Sequence, residues 1–304
     1  MVDARMLYLD LMKRCLTNFL YGDCEEAPIQ PHGFLKRKIF EVCAARGIRM
    51  VRAKPFDPQV RGEGRDWPPT AHTMIGLRRL DNLQSCIEDV LARDVPGDLI
   101  ETGVWRGGAT IFMRAVLEAY GVTDRCVWVA DSFEGLPVPN VGKYPWDAED
   151  YLHTCGELRI PLERVRTNFE RYGLLDDQVR FLKGWFRDTL PQAPMRQLAV
   201  IRLDGDLYES TMDALVNLYP KLSVGGYLIV DDYGAVAGCR QAIHDYREAN
   251  EIKEKMESID WASVYWQRSS SPVSSEATVL RNSGERCLSA LQMGTVEGVE
   301  NNGT

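Results

Sequence analysis

The sequence predicts an α/β fold, a doubly wound parallel sheet with a helical N-terminal extension, on three observations. Short apolar runs alternate with helix-period stretches between residues 98 and 249, a pattern that calls for parallel strands with helices on both faces. Several of those runs end in glycine or aspartate, at the strand ends where such sheets bind ligands. Ahead of them, Leu7, Leu11, Cys15, Phe19 and Leu20 recur near the helical period and stop at Gly22.

The elements follow in chain order. Pro55, Pro58, Gly62, Gly64, Pro68 and Pro69 make 54–70 a loop, placed to act as a lid. Leu83, Ile87, Val90 and Leu91 form one helical stripe, closed by Pro96 and Gly97. Strands are expected at 98–102, 127–130, 179–182, 199–203 and 227–230, and helices at 109–120, 161–172, 208–219 and 238–249. Residues 263–266 and 278–280 are expected to close the sheet as a pair of strands, and the polar chain from Gln292 to be disordered. The resulting division is an N-terminal helical and lid region at 1–70, a main domain at 71–282 and a tail at 283–304.

Bulk properties exclude several classes. With 304 residues, 45% apolar and 26% charged, the chain is globular and long enough for one large core. A formal charge of -8 argues against nucleic acid, which needs a basic footprint. Charged residues interrupt the first 20 positions, and no stretch reaches the ~18 apolar residues of a membrane span. Cys15, Cys24, Cys43, Cys86, Cys126, Cys155, Cys239 and Cys287 are scattered without metal-ligand spacing, which fits reduced thiols and a cytoplasmic location. The amphipathic N-terminal helix can pack on its own domain or on a second copy, which leaves a homo-oligomer open.

The chemistry sits at the strand ends. The first main strand finishes in Glu101-Thr102-Gly103-Val104-Trp105-Arg106-Gly107-Gly108, and the next ends at Asp131. Glycines there let backbone approach a ligand, and an acid at that spacing grips ribose hydroxyls. A dinucleotide fold wants a second glycine where Trp105 stands, to clear a pyrophosphate. A nucleoside without phosphates, such as S-adenosylmethionine, needs no such clearance. Glycines after strands also serve purely steric ends. The stronger signal is Asp204 and Asp206 after one strand and Asp231-Asp232 after another. If these strands are neighbours, ~4.8 Å apart, their acids converge and repel unless a hard cation such as Mg²⁺ joins them. A helix cap accounts for one of these acids, hardly four.

Five motifs occur in fixed order: Glu-Thr-Gly-Val-Trp-Arg-Gly-Gly at 101–108, Asp-Ser-Phe-Glu-Gly-Leu-Pro at 131–137, Lys-Gly-Trp-Phe at 183–186, Leu-Asp-Gly-Asp-Leu-Tyr-Glu-Ser-Thr at 203–211 and Val-Asp-Asp-Tyr at 230–233. In these the chain resembles the macrocin O-methyltransferase family of antibiotic-sugar methyltransferases over about residues 72–268. The resemblance implies a class I methyltransferase fold. It implies Mg²⁺ on Asp204, Asp231 and Asp232, and S-adenosylmethionine held by Thr73, Met74, Glu101, Thr102, Gly103, Asp131, Ser132, Gly184, Trp185 and Asp204. The segment before residue 70 and the tail after 268 match less well, which leaves substrate choice open.

Methyl transfer to a sugar hydroxyl needs an aligned oxygen and a proton acceptor. Asp206, two residues beyond Asp204, is the expected general base. His72, His153 and His244 are other titratable candidates, each off the strand ends. Tyr-Pro-Trp-Asp at 144–147, before His153, is a candidate substrate-covering loop. Trp185 either stacks on adenine or belongs to the core, and Arg240 either contacts substrate or caps a helix. The expected acceptor is a hydroxylated small molecule, a sugar or glycoside, with a catechol as an alternative. Two rival functions remain at this point: a metal-dependent glycosyltransferase using Asp204 and Asp206, and a non-catalytic binding module.

Overall fold

The computed structural model describes residues 3–269. Helix α1 (Ala4–Leu16) starts where the Asp3 side chain accepts the Arg5 amide, and it buries Leu9, Met12 and Leu16. A two-stranded antiparallel ribbon follows, β1 (Glu26–Pro28) with β2 (Val51–Ala53), and helix α2 (Phe34–Ala45) spans the two strands. No residue of α2 is buried, and Phe34, Leu35, Ile39 and Val42 face outward. Inside the stretch read as a loop, Asp57 caps a short helix α3 (Pro58–Gly62), and the Arg61 guanidinium is buried between Glu25 and Asp66. The ribbon and the five-residue α3 carry no periodicity long enough to read from sequence, whereas Leu35, Ile39 and Val42 recur at helical spacing in α2 and were not singled out.

Helix α4 (Leu77–Ala92) buries Leu83, Ile87 and Val90 of the expected stripe, with Leu80 beside them, and leaves Leu91 half-buried. Then β3 (Asp98–Thr102), α5 (Gly108–Ala119), β4 (Val127–Asp131), α6 (Leu162–Arg171) and β5 (Val179–Lys183) form one half of the sheet. Short α7 (Phe186–Thr189), β6 (Leu198–Leu203), α8 (Tyr208–Leu218), β7 (Leu222–Val230) and α9 (Ala237–Ala249) form the other, and β8 (Glu257–Ser258) and β9 (Val264–Gln267) finish it. Every residue of β6 is buried, as expected of a central parallel strand covered on both faces.

Strand order is β5-β4-β3-β6-β7-β9-β8, parallel from β5 to β7, with β9 antiparallel to both β7 and β8. Strand β9 matches the expected strand at 263–266, but its partners are β7 and β8; the stretch 278–280 and the tail lie outside the described residues. One core layer joins α1, α4, α5 and α6 through Leu9, Leu83, Phe112 and Phe169, and the other joins α8 and α9 through Leu215, Ile243 and Trp266. Helix α1 thus packs into the main core, against α5. The topology reverses on either side of β3. The crevice beyond β3 and β6 is therefore the switch point where such sheets take ligands.

Among the described residues, no helix is long and apolar enough to cross a membrane.

Candidate active site

The chain leaves β3 through Gly103, whose amide donates to the Ala130 carbonyl at 2.9 Å. Gly103 adopts φ +82°, and a Cβ there would overlap the Asp204 carbonyl. A glycine is needed on both counts. Gly103→Ala is therefore expected to cost about 2 kcal/mol or more, from left-handed strain and overlap together. Urea unfolding measures this; an unchanged midpoint would contradict the packing described here.

Asp131 holds the same turn. One carboxylate oxygen accepts the Val104 amide and the other the Phe133 amide, each at 2.7 Å. Burial raises its affinity for a proton while these amides pull it back down. Trp105 sits at φ +48° and donates its indole N–H to the Glu157 carbonyl at 2.9 Å. The indole lines the pocket at the position where a dinucleotide turn carries its second glycine.

Leu203 of β6 is in register with Thr102 of β3 and Val230 of β7, so the acids after β6 and β7 emerge side by side. One carboxylate oxygen from each of Asp204, Asp206 and Asp232 lies within 4.8 Å of the others. The chain turns sharply between the first two, with Asp206 at φ +55° donating its amide to Asp232 Oδ2 at 3.2 Å. Aspartate tolerates this left-handed backbone better than most residues. Burial and neighbouring like charges hold the carboxyls of Asp206 and Asp232 well above the usual carboxylate range, and raise Asp204 to about 6. Acids crowded in this way regain their charged form when a cation joins them.

Asp231, expected in the same cluster, is not among the three acids whose oxygens converge. Arg79 Nη1 donates to one of its oxygens at 2.6 Å, Arg202 Nη2 binds the other, and Ser263 Oγ lies at 3.2 Å. Arg202 also reaches Glu101 and, at 2.8 Å, Asp204, while Arg79 binds Asp260 at 2.7 Å. These guanidiniums hold the Asp231 carboxyl below its ordinary value despite burial. Two guanidiniums thus pair with four carboxylates, Glu101, Asp204, Asp231 and Asp260, while Asp206 and Asp232 crowd against Asp204 with no guanidinium paired to them among the described residues. The surplus negative charge suits a divalent cation, and all-oxygen donors suit Mg²⁺. Arg79 and Arg202 were not foreseen, although an arginine inside the apolar run 198–203 is itself a signal of a buried charge network.

The pocket at this crevice encloses about 800 Å³ including its open mouth. Of the expected cofactor residues, Met74, Gly103, Asp131, Ser132, Trp185 and Asp204 line it, as does Asp206. The others stand behind the wall. Glu101 is buried, its carboxyl pushed up to about 8 by desolvation against the pull of Arg202. Thr102 accepts the Asp204 amide through its carbonyl, Thr73 Oγ1 accepts the Ile75 amide, and Gly184 donates its amide to the Asp131 carbonyl. Leu136 and Pro137, which end the 131–137 motif, form part of the wall together with Leu158, which sequence reasoning did not single out.

Among the described residues, no histidine lines the pocket. His72 Nδ1 pairs with the Tyr172 hydroxyl at 2.8 Å, and burial among Arg171, Arg106 and Arg164 lowers its pKa to about 4. His244 pairs with Tyr233, and His153 Nδ1 is buried without a partner among the described residues. Arg240 donates to the carbonyls of Tyr233 and Gly234, so it braces the turn after Asp232.

The chain matches the macrocin-O-methyltransferase (TylF) family over residues 5–268, which carries the likeness well upstream of the motifs at 72–268. It is 58% identical to the 8-demethyl-8-(2,3-dimethoxy-alpha-L-rhamnosyl)-tetracenomycin-C 4'-O-methyltransferase of Streptomyces olivaceus, covering 87% of this chain and 94% of that protein. It is 49% identical to the mycinamicin III 3''-O-methyltransferase of Micromonospora griseorubida, covering 86% of this chain and 96% of that protein. The solved structure of the O-methyltransferase NovP superposes with a TM-score of 0.77 at 49% identity, covering 87% of this chain and 99% of that one. These matches overturn the glycosyltransferase and binding-module readings. A class I methyltransferase sheet, a glycine turn answered by an acid, and a match across nearly all the described residues lead to one conclusion: this enzyme belongs to the macrocin O-methyltransferase family.

Proposed function

We propose that this enzyme transfers a methyl group from S-adenosylmethionine to a hydroxyl on the sugar of a glycosylated natural product, with Mg²⁺ at the acidic cluster. The observation that carries this reading is the convergence of Asp204, Asp206 and Asp232 beside a glycine-turn pocket. The acceptor class is supported by the rhamnosyl group in the name of the 58%-identical relative.

When bound, the cofactor supplies a sulfonium methyl, and the cation supplies Lewis acidity to the acceptor hydroxyl. The chain's own residues do the rest. Asp131 and the amides it organises would hold the ribose end, Trp185 and Met74, which line the pocket, would cover the adenosyl group, and Trp105 closes the turn. Asp204 and Asp232 would hold the cation. Asp231 is left out of this pair because its oxygens are engaged by Arg79 and Arg202. Asp206 lines the pocket and its carboxylate forms no hydrogen bond within the described residues, which leaves it free to take the acceptor proton. A pocket that fixes oxygen, methyl carbon and base together removes much of the entropic barrier to an in-line displacement.

Calorimetric titration tests the reading. S-adenosylhomocysteine is expected to bind the wild-type protein, and Mg²⁺ to bind with an affinity that falls at least ~10-fold in Asp232→Asn, as loss of a ligand carboxylate requires. Absence of S-adenosylhomocysteine binding by the folded protein would sink the proposal.

A further inference from the structure

Between Ser132 and Ile160 the chain forms a long strap. Its two feet line the pocket, at Gly135, Leu136 and Pro137 on the outgoing side and Leu158 on the return. The return is fastened to the glycine turn by the Trp105 indole on the Glu157 carbonyl. Its middle is fastened by one buried acid. Asp147 is 2% exposed although Trp146 before it and Ala148 after it face solvent. Its Oδ1 accepts the Tyr208 amide at 2.7 Å, and the Glu209 amide adds to the same pull. Those are the first N–H groups of α8, which otherwise has no side-chain cap, since Leu207 occupies the capping position. A helix start unsatisfied by its own sequence is therefore capped from a distant loop.

Three further features tighten the clamp. The Tyr144 ring stacks on Tyr208 with centroids 5.2 Å apart. The Tyr208 hydroxyl donates to Asp245 on α9 at 2.8 Å. Gly238 at the start of α9 meets Asp147 Oδ1 so closely that a Cβ would overlap it. The strap thus rests on the first turns of α8 and α9, and α8 begins two residues after Asp206.

We propose that Asp147 is a positioning residue that clamps the 133–158 strap onto the first turn of α8, fixing at once the pocket wall and the turn that presents Asp206. The inference rests on the reading of this pocket as the methyl-transfer site. Asp147 touches no reacting atom. Its removal frees the middle of the strap, lets the backbone at Lys143 open for cleavage and loosens the wall formed by Leu136, Pro137 and Leu158.

The test compares wild type, Asp147→Ala, Asp147→Asn and Tyr144→Ala by trypsin cleavage after the exposed Lys143 and by S-adenosylhomocysteine affinity. Asp147→Ala is expected to speed that cleavage at least ~10-fold through local opening and to weaken S-adenosylhomocysteine about 10-fold. Asp147→Asn, which keeps the accepting oxygen, is expected to stay within about threefold of wild type on both readouts. Tyr144→Ala shifts both in the same direction as Asp147→Ala by a smaller factor, and keeps the test open if the alanine variant of Asp147 does not fold. Wild-type rates and affinity in Asp147→Ala would overturn the clamp, as would equal losses in the Asn and Ala variants. A wild-type protein that does not bind S-adenosylhomocysteine overturns the functional reading alone, because the trypsin comparison still decides the clamp.

Discussion

Asp206→Asn is expected to lower turnover at least ~10²-fold while leaving S-adenosylhomocysteine affinity within about threefold of wild type. The two carboxylates assigned to the cation are untouched by this change. The amide cannot take a proton from the acceptor, and it is nearly isosteric, so the left-handed turn and the amide bond to Asp232 persist. Single-turnover methyl transfer combined with calorimetry separates the roles. A variant that binds cofactor and Mg²⁺ but does not turn over supports Asp206 as base. Loss of Mg²⁺ binding in this variant would make Asp206 a ligand and contradict the assignment.

Arg202→Met is expected to destabilise the protein by about 3–5 kcal/mol, the range for stripping one partner from a buried ion pair. Arg202 is 1% exposed and reaches Glu101, Asp204 and Asp231. Methionine fills much of the same volume, so the loss measured is electrostatic more than steric. Asp231 would keep Arg79 alone, and Glu101 would keep no guanidinium among the described residues, because Arg79 pairs with Asp231 and Asp260. Urea unfolding of the two proteins gives the difference. A change below about 1 kcal/mol would show that the carboxylates simply take up protons and that the network is not what orders the strand ends.

The sheet was legible in the sequence because central parallel strands announce themselves. Residues 198–203 are an almost wholly apolar run closed by Asp204, residues 98–102 carry the apolar pair Leu99-Ile100 ahead of Gly103, and the structure puts the two side by side at the switch point. Strand β7 begins five residues earlier than its apolar run, because Ser223, Gly225 and Gly226 carry no strand signal, yet the ladder with β6 already starts at Leu222. The ribbon of β1 and β2 was invisible for a related reason: three-residue strands have no period to detect.

The site divides in the same way. Asp204, Asp206, Asp231 and Asp232 could all be named from sequence because several acids closing neighbouring apolar strands repel one another unless they share a cation. What separates Asp232 from its neighbour Asp231 is not local. It depends on Arg79, contributed by α4 from 152 residues earlier, and on Arg202, which reaches Glu101 in the same crevice. Sequence spacing gives the position of each acid along its strand and says nothing of which guanidinium reaches it. Asp147 was noticed only as the end of Tyr-Pro-Trp-Asp, since a cap supplied to a helix 61 residues away leaves no mark at the helix start except the lack of a capping residue at Leu207.

The most direct test of metal-assisted methyl transfer uses a labelled methyl group on S-adenosylmethionine and a rhamnosyl-tetracenomycin acceptor of the kind named for the relative in Streptomyces olivaceus, with Mg²⁺ and with a chelator. Label on a sugar oxygen that appears with Mg²⁺ and disappears with the chelator is the predicted result. Transfer that proceeds equally well with the chelator would contradict the role given to the acidic cluster.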